Sequence, residues 1–303
     1  MKQRAGTIAR RVFVAACLVA LLDFSSGFFV QTDRTPHLCT KSPSESGLPL
    51  LLVFPGFAAD GCSSHDAFTA ALGQPVHVVA VQYPEGDIDD DAIYALVRQE
   101  IEQASPDRIV VLAGSMGGMV ATRFLGRLAQ DSSMSEFHSV ELFLDAAPIS
   151  QATVRRSSAL FAFSQIYRGG VVSSLGWRLI SRFQTLPDPE AGVSTVAVDE
   201  GNAYNHGLGT WTLAAQARYI ADFDPREISK ALPAVRRATY LSAPQSALDP
   251  VVDVPRSIQG WRRYVPSLEV VETPSRHGEW HLPWTYRPRE LLVAMGFATT
   301  TPD

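Results

Sequence analysis

Short, almost uninterrupted apolar runs recur along this chain and alternate with segments of helical period. "LPLLLVF" and "VHVVAVQ" leave no polar face, so neither fits a strand wetted on one side, whereas buried parallel strands have this composition. "RIVVLAG", "SVELFLD", "RATYLS" and "SLEVVE" read as further strands. Ahead of "RIVVLAG", Asp89, Asp90 and Asp91 precede "AIYALVRQEIEQ", in which Ile93, Leu96, Val97 and Ile101 recur at helical spacing. The acids suit the positive end of that helix dipole. Behind "RIVVLAG", Met116, Val120, Phe124 and Leu128 form a second apolar stripe, with Arg123 and Arg127 facing elsewhere. Strands alternating with amphipathic helices imply an α/β chain with a doubly wound, mostly parallel sheet.

The alternation lapses over 150–232, where helical fragments such as "SSLGWRLISRF" and "TWTLAAQARYIADF" stand among loop-like stretches, and then resumes. The reading is one sheet domain, 48–149 and 233–303, interrupted by a largely helical cap at 150–232. A chain of 303 residues that is 46% hydrophobic can bury such a core. A net charge of −5, with no Lys/Arg run in the body of the chain, argues against a nucleic-acid partner.

The first 30 residues have a different character. "MKQRAGTIARR" carries Lys2, Arg4, Arg10 and Arg11 without an acid, and the apolar "VFVAACLVALL" follows, the order of a secretory signal. The apolar run is short for a span, which needs about 20 residues. Residues 1–30 are therefore expected to be a signal peptide or an N-terminal membrane anchor, making the protein exported, with the membrane touched through this segment. The polar stretch 31–47 reads as a linker. Export would make Cys39 and Cys62 a candidate disulfide, with two unpaired thiols as the alternative.

The chemistry centres on "LAGSMGG", a strand running through a small-residue turn into a helix around Ser115. By chance a strict G-x-S-x-G occurs in about one chain in ten of this length, and here Ala113 takes the place of the first glycine. Ser115 as a plain turn residue is the competing reading. Its context favours a nucleophile: Gly114 and Gly117 permit a tight strand-to-helix turn, and the helix N-terminus adds positive potential beside the hydroxyl. A serine so used needs a base, an acid to orient that base, and donors for an oxyanion.

Taken in order, "LLLVFPGF", "LAGSMGG", "YLSAPQSALDPVV" and "VVETPSRHGEW" resemble the α/β-hydrolase superfamily, in its serine hydrolase, esterase- and lipase-like branch. The resemblance spans about residues 48–297. It implies Ser115 as nucleophile, Asp249 as acid and His277 as base. Backbone N–H groups of Met116 and Phe57 would form the oxyanion hole. His281 is a rival base, and Asp253 and Asp145 are rival acids. Two departures stand out, Pro55 where many members have histidine and Ala113 in place of glycine. No cofactor is implied. A metal is not expected either: His277, Glu279 and His281 do not follow H-E-x-x-H, and the Asp89–Asp91 run has no calcium-loop spacing. His206 reads as a loop residue.

The implied activity is hydrolysis of a small-molecule ester or thioester through an acyl-enzyme. An acyltransferase with the same triad, or a catalytically silent binding protein, would share these motifs. In the cap, Phe161, Phe163, Tyr167, Trp177, Phe183, Tyr204 and Trp211 suit either an acyl pocket or the packing of the cap itself.

Overall fold

A computed structural model describes residues 2–30, 35–41, 46–57, 59–155, 161–162, 164–165, 170, 172, 175, 210–249, 251–274, 281 and 287–298. Its centre is a seven-stranded sheet in the order β1-β3-β2-β4-β5-β6-β7. The strands are β1 (His37–Thr40), β2 (Leu50–Phe54), β3 (His77–Gln82), β4 (Ile109–Gly114), β5 (Val140–Asp145), β6 (Val235–Ser242) and β7 (Glu269–Glu272). Every neighbouring pair is parallel except β1 with β3.

Every residue of β2, β4 and β5 is buried, which is why their sequences carry no alternation. The period of two instead divides each strand between two cores. Leu50, Leu52, Phe54, Val79, Val81 and Val111 pack on one face, together with side chains of α3 (Asp90–Ala104) and α4 (Gly117–Gln130). Leu51, Val53, Val78, Ala80, Val110 and Leu112 pack on the other, with Phe68 of α2 (Gly61–Ala71). The sheet is thus doubly wound, as its sequence implied.

The acidic run ahead of α3 has two jobs. Asp89 caps the helix, its carboxylate accepting from the N–H groups of Asp91 and Ala92. Asp90 and Asp91 reach Arg123 (3.3 Å) and Arg127 (2.6 Å) on α4, so the polar side of that helix is tied to the start of α3.

Residues 31–47, read as a linker, contain β1. It pairs antiparallel along β3, from His37 opposite Gln82 to Thr40 opposite Val79, and covers an edge that would otherwise be open. Cys39 of β1 is bonded to Cys62 of α2, with Cα atoms 5.0 Å apart. This pins the segment to the sheet.

At the N-terminus, α1 (Lys2–Val30) leaves Val12, Phe13, Leu18, Leu21 and Leu22 more than half exposed. Among the described residues no helix is long and apolar enough to cross a membrane. Within 150–232, the stretch read as a cap, the described residues include the helix α5 (Thr210–Asp222). It buries Ala214, Ala217, Tyr219 and Ile220, and Arg123 stacks 4.6 Å from the Tyr219 ring. Phe161 is buried in the core; Phe163, Tyr167, Trp177, Phe183, Tyr204 and His206, and the side chain of Trp211, lie outside the described residues.

Candidate active site

β4 ends at Gly114, and Ser115 follows with φ +47°, left-handed for a residue that is not glycine. Such a conformation costs on the order of 1 kcal/mol or more and persists where its surroundings enforce it. Here they do. Ser115 N–H donates to the Asp145 carbonyl at the end of β5 (2.8 Å), and Gly118 N–H donates to the Ser115 carbonyl (3.0 Å) as α4 begins. The glycines are required by close approach: a Cβ on Gly117 would lie 2.0 Å from the Phe54 carbonyl oxygen, and one on Gly118 would lie 2.7 Å from the Ala147 Cβ. Met116 opens α4 fully buried, and Phe57 follows the end of β2. Tyr83 holds that β2 end, its buried hydroxyl donating to the Pro55 carbonyl (3.0 Å).

After β6 the chain makes a turn at Ser246–Leu248 and reaches Asp249, which is fully buried. One carboxylate oxygen accepts from the N–H groups of Val251 (2.7 Å) and Val252 (2.8 Å). The other lies 2.8 Å from Nδ1 of His281. The Asp249 loop is itself held by residues just after β5, through Arg155 N–H to the Val251 carbonyl (2.7 Å) and Asp253 N–H to the Thr153 carbonyl (2.8 Å). An aspartate fixed by two backbone donors offers its second oxygen to an imidazole in one orientation, and only the ring's Nδ1–H can donate to it. The other ring nitrogen, Nε2, is then left as an acceptor.

Sequence order left two histidines four residues apart as candidate bases. The imidazole on Asp249 is that of His281, while His277 lies outside the described residues. Asp253 caps α6 (Val254–Tyr264), accepting from Arg256 N–H. Asp145 is fully buried and bonds to Arg287 (2.6 Å). Burial pushes its carboxyl upward, against the opposing pull of the Arg287 charge. A cavity of about 320 Å³ among the described residues, lined by Arg108, Glu136, Glu141 and Arg236, opens at the opposite, N-terminal ends of β4, β5 and β6, away from Ser115.

Residues 50–294 match the family model described as the alpha/beta hydrolase family. The chain belongs to that family. The solved structures it is similar to bear out the alpha/beta hydrolase architecture. A thermophilic esterase from Thermogutta terrifontis shares 17% identity at a TM-score of 0.59, covering 88% of this chain and 96% of its own. MenH from S. aureus shares 13% at 0.57, with 86% and 97% covered. The enol-lactonase from Burkholderia xenovorans LB400 shares 12% at 0.58, with 86% and 95% covered. No curated protein matches the chain. Family membership favours hydrolytic chemistry, and at these identities the neighbours speak for the fold rather than for an activity or a substrate.

Proposed function

We propose that this protein is an exported serine hydrolase that cleaves a small-molecule ester or thioester through an acyl-enzyme on Ser115, with Asp249 as acid and His281, in place of His277, as base. The observation that carries the proposal is the imidazole seated on a buried, doubly anchored carboxylate, in a family fold whose nucleophile turn is strained at a serine. With Nδ1–H committed to Asp249, Nε2 of His281 takes the Ser115 hydroxyl proton as the oxygen attacks the substrate carbonyl carbon. Negative charge collects on the former carbonyl oxygen, opposite the N–H groups of Met116 and Phe57. Collapse of the tetrahedral intermediate expels the alcohol or thiol, which leaves with the proton held by His281. Water then attacks the acyl-enzyme as His281 accepts its proton, and collapse releases the carboxylic acid while the departing Ser115 oxygen takes that proton back from His281.

A fluorophosphonate probe tests this reading. It should add one label per folded chain, at Ser115 by peptide mass, and Ser115→Ala should add none. Folded wild-type protein that stays unlabelled would make the fold a silent scaffold.

Export is supported by the basic-then-apolar order of the first 30 residues and by the Cys39–Cys62 bond, since disulfides persist in oxidising compartments. If α1 is retained after export, its exposed apolar side chains supply a contact with the membrane surface. Protein isolated from its native cells under thiol-blocking conditions should show at most one reactive thiol, the exposed Cys17. Three would place it in a reducing compartment. The bond closes a 23-residue separation, so Cys62→Ser should lower unfolding stability by about 3 kcal/mol, measured by urea denaturation.

A further inference from the structure

The segment that carries His281 leaves the sheet after Thr273, just past β7, and rejoins described structure at Arg287, ahead of α7 (Pro288–Ala294). Arg287 is fully buried. Its Nη1 donates to the Thr273 carbonyl (3.0 Å) and also meets the Thr273 hydroxyl, while Nη2 donates to Asp145 Oδ1 (2.6 Å). Thr273 is in turn fixed to β6, its N–H donating to the Ser242 carbonyl (2.9 Å). The backbone carbonyl of Asp145 is the group that accepts from Ser115 N–H (2.8 Å). One guanidinium therefore joins both ends of the histidine segment to the residue that holds the nucleophile turn.

We infer that Arg287 is a positioning residue, a buried clasp that closes the His281 segment at its base and registers it against the Ser115 turn through Asp145. The catalytic half of this inference rests on the serine-hydrolase reading, whereas the structural half stands on the hydrogen bonds alone. Stability is a poor reason for the pair to exist, because a buried ion pair gains little over apolar residues of the same volume. Its geometry gives a better one. A planar fork with several fixed donors holds two partners at a set angle, which an ammonium cannot reproduce. The clasp also sits within reach of the site's electrostatics, since the Asp249 charge acts on the Asp145 carboxyl. Among the described residues Asp145 Oδ2 has no hydrogen-bond partner, so Arg287 is the group that makes this buried carboxylate tolerable.

The test compares wild type with Arg287→Lys and with the apolar pair Asp145→Leu/Arg287→Met, which leaves neither charge buried alone. In the double variant, kcat for a p-nitrophenyl ester should fall roughly 10- to 100-fold with KM changed much less, the size expected when reacting groups are misplaced by about 1 Å. The downfield proton resonance of His281 Nδ1–H, given by its bond to Asp249, should disappear with it. Arg287→Lys should fall between the two in both readings. A folded double variant that keeps the resonance and a kcat within about twofold of wild type overturns the inference. If that variant does not fold, Arg287→Lys decides by the same two readings. Should the wild type hydrolyse no ester, the serine-hydrolase reading fails while the resonance still reports on the clasp.

Discussion

Alanine at Ser115 or at His281 is expected to lower kcat for ester hydrolysis by about 10⁴- to 10⁶-fold, and the two together by little more, because nucleophile and base act as one unit. The loss belongs to the chemical step. The Ser115 side chain fills no large volume, so its removal should leave the melting temperature within a few degrees of wild type. His281→Ala removes a ring that is 11% exposed and bonded to a buried carboxylate, so a modest loss of stability accompanies its larger loss of rate. The decisive comparison is with His277→Ala, for which less than a tenfold loss is expected. Steady-state kinetics on the three variants, with thermal melts as the folding control, settle the base: if His277→Ala is the more damaging, the base is His277 and the Asp249–His281 bond is not the catalytic one.

That ambiguity shows where sequence reasoning stopped. The turn at Ser115 was legible because strand, turn and helix are contiguous, so a local pattern contains the whole local geometry. The place of Asp249 after β6 was legible as well. Which histidine meets that carboxylate was not. His277 and His281 both follow β7, and what separates them is which ring reaches a carboxylate some thirty residues earlier in the chain, a contact that no periodicity encodes. Arg287 was missed for the same reason. Nothing in "PWTYRPREL" marks that arginine as buried, and its meaning lies in Thr273, just past β7, and Asp145, at the end of β5. From sequence Asp145 is only a rival acid, since sequence order shows a carboxylate but not the cation beside it.

Among the elements, the inner strands were read from their continuous apolar runs, and β1 was not. "HLCT" sits in a polar, Pro- and Ser-containing stretch, and its strand character comes from the open edge of β3 and from the Cys62 bond. The helices α2 and α6 also escaped notice. "GCSSHDAFTAA" buries Phe68 but is otherwise small and polar, and "VPRSIQGWRRY" hides its register in Val254, Ser257 and Trp261, only two of them apolar. Tertiary packing overrode weak local propensity in both.

Two glycine-to-alanine changes in α4 should have opposite signs, and the first should be among the most damaging single-methyl substitutions this chain can carry. At Gly117 the added Cβ would lie 2.0 Å from the Phe54 carbonyl oxygen and 2.7 Å from the Pro55 carbonyl oxygen. Both are backbone atoms at the end of a buried central strand, so neither can swing aside as the tip of a side chain would. To regain ordinary contact, beyond 3.4 Å, α4 must move away from β2 by more than 1 Å. That movement breaks the packing of Met119, Val120 and Phe124 on the sheet and carries Ser115 and Met116 away from Phe57. Gly117→Ala should therefore cost about 3 kcal/mol or more of stability. Whatever fraction folds should lose kcat as well, because the proposed oxyanion donors lie on the two elements forced apart. At Gly126, about two and a half turns further along the same helix, the nearest atom to a new Cβ is Lys230 Cβ at 3.6 Å, an ordinary contact. Gly126→Ala should stabilise the chain by roughly 0.5–1 kcal/mol, since alanine loses less backbone freedom than glycine on entering a helix. Urea denaturation of both variants beside an ester assay checks the contrast. A Gly117→Ala protein as stable and active as wild type would show that the turn does not depend on the close approach of α4 to β2.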